Sequence, residues 1–126
     1  MAQSKKSFPK DVVDAIDKSK ILGIRAGSEH RFIGLWVVVV EDRVFVRSWS
    51  MKPDGWHRAF LKNPIGAMTV ATDEFAVKAV QTRSARLRDL VSKAYAEKYN
   101  TKASAKYVQD LSGEKSRDTT TELVPH

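Results

Sequence analysis

The sequence predicts a small α+β protein built on a six-stranded antiparallel β-barrel with flanking helices. Its 126 residues are the length of one domain. The predicted strands come mostly as hairpins, which indicates an antiparallel sheet. A flat sheet of six strands around one small core would expose its edges, and closure into a barrel removes them. We therefore expect residues 1–126 to form a single domain, with a loose N-terminal arm over residues 1–10.

The predicted elements follow one another with short connections. In order they are a helix over 11–20, strands over 21–26, 34–40 and 43–50, a short helix over 56–62, strands over 66–72 and 75–82, helices over 84–99 and 103–111, and a last strand over 119–124. The first helix is indicated by Val12, Val13 and Ile16 at helical spacing. The first strand is indicated by alternation in the segment ILGIRA.

The central hairpin carries the strongest strand signal. Residues 34–40 are apolar and rich in β-branched side chains, which favours a strand. Only Glu41-Asp42 separates them from the next strand, so the two should form a hairpin. That next strand alternates, and one of its faces carries Phe45, Arg47 and Trp49.

Turn and capping residues fix the elements after the hairpin. Pro53-Asp54-Gly55 predicts a turn, because proline presets φ and glycine permits positive φ. The short helix should stop at Asn63-Pro64, since the residue before proline avoids the α region. Asp73-Glu74 is the predicted turn of the second hairpin, and Ser84 is the predicted N-cap of the long helix. Residues 112–116 are predicted to be a loop, and β-branched residues indicate the last strand.

The composition excludes several kinds of site. The chain has no cysteine, which excludes disulfides, thiol nucleophiles and cysteine-ligated metals. His30, His57 and His126 stand far apart, so no metal site is predicted. The chain contains no GxxxxGK[ST], GxGxxG or GxSxG motif. No catalytic residue is predicted.

The sequence predicts a cytoplasmic protein that is not expected to bind nucleic acid. The N-terminal lysines are not followed by an apolar run, so no signal peptide is predicted. The longest apolar run, Leu35 to Val40, is too short to cross a membrane. The net charge of +7 is spread over both ends of the chain, and nucleic acid is therefore not the expected partner.

Residues 43–64, RVFVRSWSMKPDGWHRAFLKNP, carry the main functional signal. The candidate ligand-binding residues before and after the turn are Arg47, Ser48, Trp49, Trp56, His57 and Arg58. A guanidinium group grips phosphate, indole rings can flank a flat ring, and a helix start favours anions. The pattern predicts a pocket for a flat, phosphate-bearing ligand. The alternative is that both tryptophans pack in the core while Arg47 pairs with Glu41 or Asp54.

The run from Gly34 to Val70 resembles the central hairpin and helix of the FMN-binding split-barrel superfamily. Its members include pyridoxamine-phosphate-oxidase-like and deazaflavin-dependent nitroreductase-like proteins. The nitroreductase pattern is matched by Ser48, the turn over 53–55, Trp56-His57, Leu61 and Asn63-Pro64. Over nearly its whole length the chain also resembles an uncharacterised bacterial family of small proteins. The shared segments are LWVVVV, VFVRS, the helix AYAEKY and a threonine-rich ending before Leu-Val-Pro.

This resemblance implies a split barrel that binds FMN or a deazaflavin cofactor near the end of its third strand. By position it places Ser48 and Trp49 near the phosphate and Trp56 at the start of the following helix, while Arg47 and Arg58 are added for their charge. The resemblance also implies a homodimer. The four valines at 37–40 support that implication, because both faces of their strand are apolar and need cover.

Functions of three classes remain open from the sequence. The first is an FMN- or deazaflavin-dependent oxidoreductase of small organic substrates, in which the cofactor carries the hydride chemistry. The second is a non-catalytic module of the same fold that holds another anionic or aromatic small molecule. A nucleic-acid-binding protein ranks third. A rise in melting temperature with FMN would separate the first from the second.

Overall fold

A computed structural model describes residues 8–27, 31–48 and 55–126 of the chain. The strands are β1 Ile21–Ala26, β2 Ile33–Val40, β3 Arg43–Val46, β4 Ile65–Val70, β5 Asp73–Gln81 and β6 Thr121–Pro125. The helices are α1 Lys10–Lys18, α2 Trp56–Lys62, α3 Ala85–Lys98, α4 Ala105–Leu111 and α5 Glu114–Arg117. Within the described residues these six strands pair antiparallel into a closed barrel, in the order β1-β2-β3-β6-β5-β4. The predicted α+β barrel with flanking helices is confirmed.

The β2–β3 hairpin forms around the predicted two-residue turn. Glu41 and Asp42 have φ values of 54° and 61°, the left-handed conformation that joins two strands without splaying them. The register pairs Val40 with Arg43 and Val37 with Val46. Side chains therefore alternate along β3 between the barrel interior and its outer face.

Two apolar clusters lie on the two sides of this hairpin. The interior cluster is built from the inward faces of the strands together with Ile16 of α1 and Trp56 and Phe60 of α2. The outer cluster fills the space between the hairpin and the C-terminal helices, and it contains Val38, Val40, Phe45, Leu87, Val91, Tyr95, Tyr99 and Leu111. Strand β2 is therefore apolar on both faces, as predicted. At Val38 and Val40 the outer face is covered by α3 of the same chain.

The predicted turn of the second hairpin is wrong by two residues. Strand β4 ends at Val70, which pairs with Asp73, so the turn is Ala71-Thr72. Asp73 and Glu74 are exposed residues of β5, and Glu74 lies 3.4 Å from Arg25. Adjacent charged residues favour a turn, but an exposed strand position accommodates them equally well.

The predicted loop over 112–116 contains part of a short helix, α5. The hydroxyl of Ser116 donates to the carbonyl of Ser48 at 2.6 Å, and Ser116 is buried. This contact is between residues far apart in sequence, so local turn chemistry does not reveal it.

At the other end of the chain, Phe8 packs edge-on against Phe75, while residues 1–7 of the predicted arm lie outside the described residues. No helix in the described part of the chain is long and apolar enough to cross a membrane.

Candidate functional site

Arg47 follows the last residue of β3 and extends beneath the C-terminal helices. Its Nε donates to Thr120 Oγ1 at 2.9 Å, and its Nη1 donates to Ser92 Oγ at 2.8 Å and to the Leu111 carbonyl at 2.9 Å. Its Nη2 donates to the Arg88 carbonyl at 2.7 Å. The residue is only 2% exposed. Arg47 thus connects β3 to α3, to α4 and to the segment that leads into β6.

The guanidinium of Arg47 has neutral partners. All four acceptors are hydroxyl or carbonyl oxygens, and among the described residues no carboxylate forms an ion pair with it. Glu41 is paired with Arg86 at 2.6 Å, so the predicted pairing of Arg47 with Glu41 is wrong. The other predicted partner, Asp54, lies outside the described residues.

Burial disfavours the charged form of the Arg47 side chain. Desolvation lowers the pKa of Arg47 to about 10, and the nearby positive charges of Arg117 and Arg88 act in the same direction. Asp89, whose charge would counter them, is itself in contact with Arg117. Burying a charge without an opposite charge is costly, even when hydrogen bonds are made. A buried cation beside the outer cluster thus has no direct ion-pair partner among the described residues.

A cavity of about 380 Å³ lies between α4 and the outer face of β1 and β2. Its lining residues are Ile21, Gly34, Leu35, Trp36, Arg47, Tyr107 and Leu111. Arg47 is the one charged residue in this set, and the others are apolar or aromatic. Cavities of this size and character are typical of small-molecule sites, in which a few polar groups fix the ligand's orientation.

Aromatic packing fixes the ring of Trp36 at the cavity. It stacks on Tyr99, with ring centroids 4.1 Å apart and planes within 2° of parallel. Tyr107 of α4 meets Trp36 edge-on at 6.0 Å. A Cβ at Gly34 would come within 2.8 Å of the Ile21 Cγ2, so glycine keeps this side of the cavity open. A flat ring of a ligand in the cavity would thus contact two aromatic side chains, Trp36 and Tyr107.

The predicted residues at the strand end are engaged in protein contacts. The backbone N–H of Ser48 donates to Thr119 Oγ1 at 2.8 Å, and its carbonyl accepts from Ser116. These are backbone groups of the segment that was expected to contact a phosphate. Trp56 is buried in the interior cluster, where it meets Phe60 edge-on.

The remaining predicted residues differ in exposure. His57 is buried, and its Nε2 lies 2.9 Å from the Gln81 Oε1. Its Nδ1 is also buried and has no hydrogen-bond partner among the described residues. Arg58 is exposed on α2, and Trp49 lies outside the described residues.

The structure brings some of the six predicted residues together and separates others. Trp56 and His57 are neighbours, with ring centroids 5.8 Å apart. Arg47 belongs to the opposite face of β3, where its guanidinium lies 6.0 Å from the centre of the Tyr95 ring. The residues that share a cavity with Arg47 were missed, although the hairpin register, continued by one residue, places Trp36 opposite Arg47.

A second cavity, of about 440 Å³, lies on the outer face of β1, β4 and β5. Arg25 and Glu74 both line it, and their side chains are 3.4 Å apart. The guanidinium of Arg25 also lies 4.5 Å from the centre of the Phe32 ring. Because the positive charge of Arg25 already has a carboxylate partner, this cavity gives no comparable reason to bind an anion.

Solved structures with the same fold have very different sequences. HutZ, the heme storage protein from Vibrio cholerae, is 14% identical with a TM-score of 0.65, and the match covers 95% of this chain and 91% of HutZ. The conserved hypothetical protein Rv2991 from Mycobacterium tuberculosis is 11% identical with a TM-score of 0.58, covering 98% of this chain and 82% of Rv2991. At these identities the likeness extends to the fold alone.

Sequence comparison gives the family but no characterised relative. No curated protein matches the sequence. The model of one family, described as uncharacterized protein conserved in bacteria (DUF2255), matches residues 11–123. That span covers both sides of the barrel and all the residues around Arg47 described above. The chain belongs to this bacterial family, DUF2255.

Proposed function

We propose that this protein is a small-molecule-binding barrel whose ligand is a flat, largely apolar anion. The observation that carries the proposal is Arg47, a buried cation that lies at the wall of an aromatic cavity and has no carboxylate partner among the described residues. A bound anion would supply the opposite charge that the described residues do not. Trp36 and Tyr107 would contact the ring of such a ligand.

Three known flat anions are the first candidates. FMN and a deazaflavin cofactor follow from the resemblance of residues 34–70 to split-barrel enzymes. Heme follows from HutZ, whose title describes it as a heme storage protein. All three combine a conjugated ring with acidic groups, the two features that an apolar cavity beside a buried cation would recognise.

The flavin candidates fit the strand end poorly. A phosphate there would need free donors, but the N–H of Ser48 is bonded to Thr119 and Arg47 lies on the other face of β3. Redox chemistry would be supplied by the cofactor, with the chain binding and orienting it. The oxidoreductase function is therefore the narrower proposal, and it depends on which ligand binds.

Thermal unfolding of the full chain tests the proposal. A ligand that binds only the folded state raises the melting temperature by mass action. We expect a rise with at least one of FMN, the deazaflavin cofactor and hemin. The rise should be lost in Gly34→Val, because the added side chain occupies the cavity beside Ile21. It should remain in Arg83→Met, which removes one exposed positive charge outside the cavity.

Two results would overturn this assignment. One is a well-folded protein whose melting temperature responds to none of the three ligands. The other is a ligand response that is as large in Gly34→Val as in the wild type. The second result would move the site away from the cavity while leaving ligand binding intact.

We propose in addition that the protein forms a homodimer. Ile21 is 54% exposed on the outer face of β1 and offers apolar surface there to a second copy. Because Ile21 also lines the cavity, a partner there would lie next to the ligand. Sedimentation at micromolar concentration tests this, and a monomeric sedimentation coefficient would refute it.

A further inference from the structure

We infer that the anion taken by the cavity is a carboxylate rather than a phosphate monoester. The natural ligand would then be an aromatic carboxylic acid. This inference rests on the proposed function, and it narrows the ligand class of the same cavity. It follows from the charges around Arg47, whose free donors allow only a single-point contact.

The donors of Arg47 are nearly all in use. A guanidinium has five N–H groups, and hydrogen bonds to Thr120, Ser92, Leu111 and Arg88 occupy four of them. The one that remains belongs to Nη2, which makes a single bond in this set. A two-point grip, with which arginine often holds either a phosphate or a carboxylate, needs two parallel N–H groups. With one N–H left, Arg47 can hold a single oxygen of either acid, so the choice between them depends on charge.

The charges at the site also match a monoanion. A phosphate monoester carries a charge of about −1.5 to −2 at neutral pH. Among the described residues that line the cavity, Arg47 is the one with a charge, so a dianion would leave negative charge without a partner there. The two nearest other cations are paired already, Arg88 with Asp118 at 3.1 Å and Arg117 with Asp89. The single negative charge of a carboxylate balances the single positive charge of Arg47.

The remaining lining determines the rest of the ligand. The ring of Trp36 is held by Tyr99, and Tyr107 stands across from it on α4. The cavity, about 380 Å³, lies at the small end of the usual range for ligand sites. A compact fused-ring acid fits these surroundings, with its ring against Trp36 and its carboxylate towards Arg47.

A matched pair of ligands tests the inference. Naphthylacetate and naphthyl phosphate share one ring system and differ in the acidic group. We titrate both into the full chain and follow tryptophan fluorescence, with calorimetry as a second readout. The carboxylate should bind at least about tenfold more tightly near pH 8, the difference expected for one mismatched charge. Arg47→Met should remove this preference, and Arg83→Met should keep it.

The pH dependence gives a test that needs no variant, in case Arg47→Met does not fold. A phosphate monoester loses its second proton near pH 6. Binding of naphthyl phosphate to the wild type should therefore weaken as pH rises from about 5 to about 8, whereas binding of naphthylacetate should stay constant. If naphthyl phosphate strengthens over this interval, the inference is wrong.

The outcomes separate this inference from the proposed function. Phosphate binding as tight as carboxylate binding near pH 8 overturns the inference and leaves the small-molecule site in place. Equal binding of the neutral naphthaleneacetamide also overturns it, since Arg47 would then contribute no charge recognition. If neither naphthyl compound, FMN, the deazaflavin cofactor nor hemin binds the folded protein, the proposed function itself fails.

Discussion

Buried hydroxyl groups make many of the side-chain hydrogen bonds to the backbone in this small protein, and Tyr99 is an example. Its hydroxyl accepts from the Val37 N–H at 3.0 Å and lies 2.7 Å from the Lys20 carbonyl, to which it donates. Tyr99→Phe leaves both backbone groups without this partner. We expect it to lower the free energy of unfolding by about 1–3 kcal/mol, as measured by urea denaturation. A change within error would mean that these backbone groups find other partners.

Tyr99 also predicts how stability depends on alkaline pH. Burial raises the pKa of Tyr99 to about 12, whereas a tyrosine in the unfolded chain titrates near pH 10. The unfolded chain thus loses its proton first, so the free energy of unfolding falls as pH rises from about 10 to about 12. The decline should be shallower in Tyr99→Phe than in the wild type. Equal slopes would contradict the burial of this hydroxyl.

The ion pair between β3 and β6 should stabilise the barrel more than surface pairs do. Arg43 contacts both oxygens of Glu122, at 2.9 and 2.8 Å, and the Glu122 side chain is only 4% exposed. Arg43→Met should cost about 3 kcal/mol, because it removes the guanidinium from a buried carboxylate. The matched control is Arg86→Met, which breaks the exposed, solvent-screened pair with Glu41 and should cost clearly less than Arg43→Met. Equal losses in the two variants would contradict this ranking.

At the residue scale, the sequence identified Arg47 as unusual but did not identify its hydrogen-bond partners. The sequence alone shows that Arg47 shares a strand face with the apolar Phe45, and a charged side chain there needs a partner. Which atoms satisfy it was not visible, because Ser92, Leu111 and Thr120 come from distant parts of the chain. The predicted pairing with Glu41 relied on closeness in sequence, whereas Glu41 instead reaches α3.

Among the secondary-structure elements, α3 has a helix cap that can be tested directly. The Ser84 hydroxyl accepts a hydrogen bond from the Leu87 N–H at 3.2 Å, as the sequence predicted. Ser84→Ala should lower the free energy of unfolding by about 1 kcal/mol. Ser104→Ala is the control, since Ser104 precedes α4 without a side-chain bond to the helix backbone, and its effect should be smaller. Chemical denaturation of both variants compares them, and the reverse order would contradict the cap.

Element boundaries were predictable where local chemistry decides them. Strand β1 and helix α2 have the predicted bounds, because hydropathy alternation and the Asn63-Pro64 stop are local signals. The second hairpin and α5 were not predicted correctly. There the outcome depends on which exposed residues pair across the sheet and on the bond from Ser116 to Ser48.

For the whole molecule, closure of the barrel depends on its last strand. Strand β6 lies between β3 and β5, although it is far from β3 in sequence. Removing residues 121–126 would leave the facing edges of β3 and β5 unpaired, and such edges invite association. We expect the truncated chain to lose its cooperative thermal transition. A truncated protein that still unfolds in one sharp transition would contradict this role for β6.

The need for closure could be predicted from six strands and one small core, but the strand order could not. Hairpin signals link neighbours in sequence, whereas the β1–β4 and β3–β6 pairs join distant segments. The cavity, too, is formed by segments that are distant in sequence. Its walls come from β1, β2, α4 and Arg47, so no single stretch of sequence indicates it.

The most direct test of the cavity as the binding site is the location of a bound ligand. Nitrogen–proton correlation spectra of the full chain are recorded during a titration with naphthylacetate. The account predicts saturable changes that are largest for the Trp36 indole and for the backbone amides of Gly34, Tyr107 and Leu111. Largest changes at Trp56 and His57 would instead place the site at the strand end and contradict the assignment to the cavity.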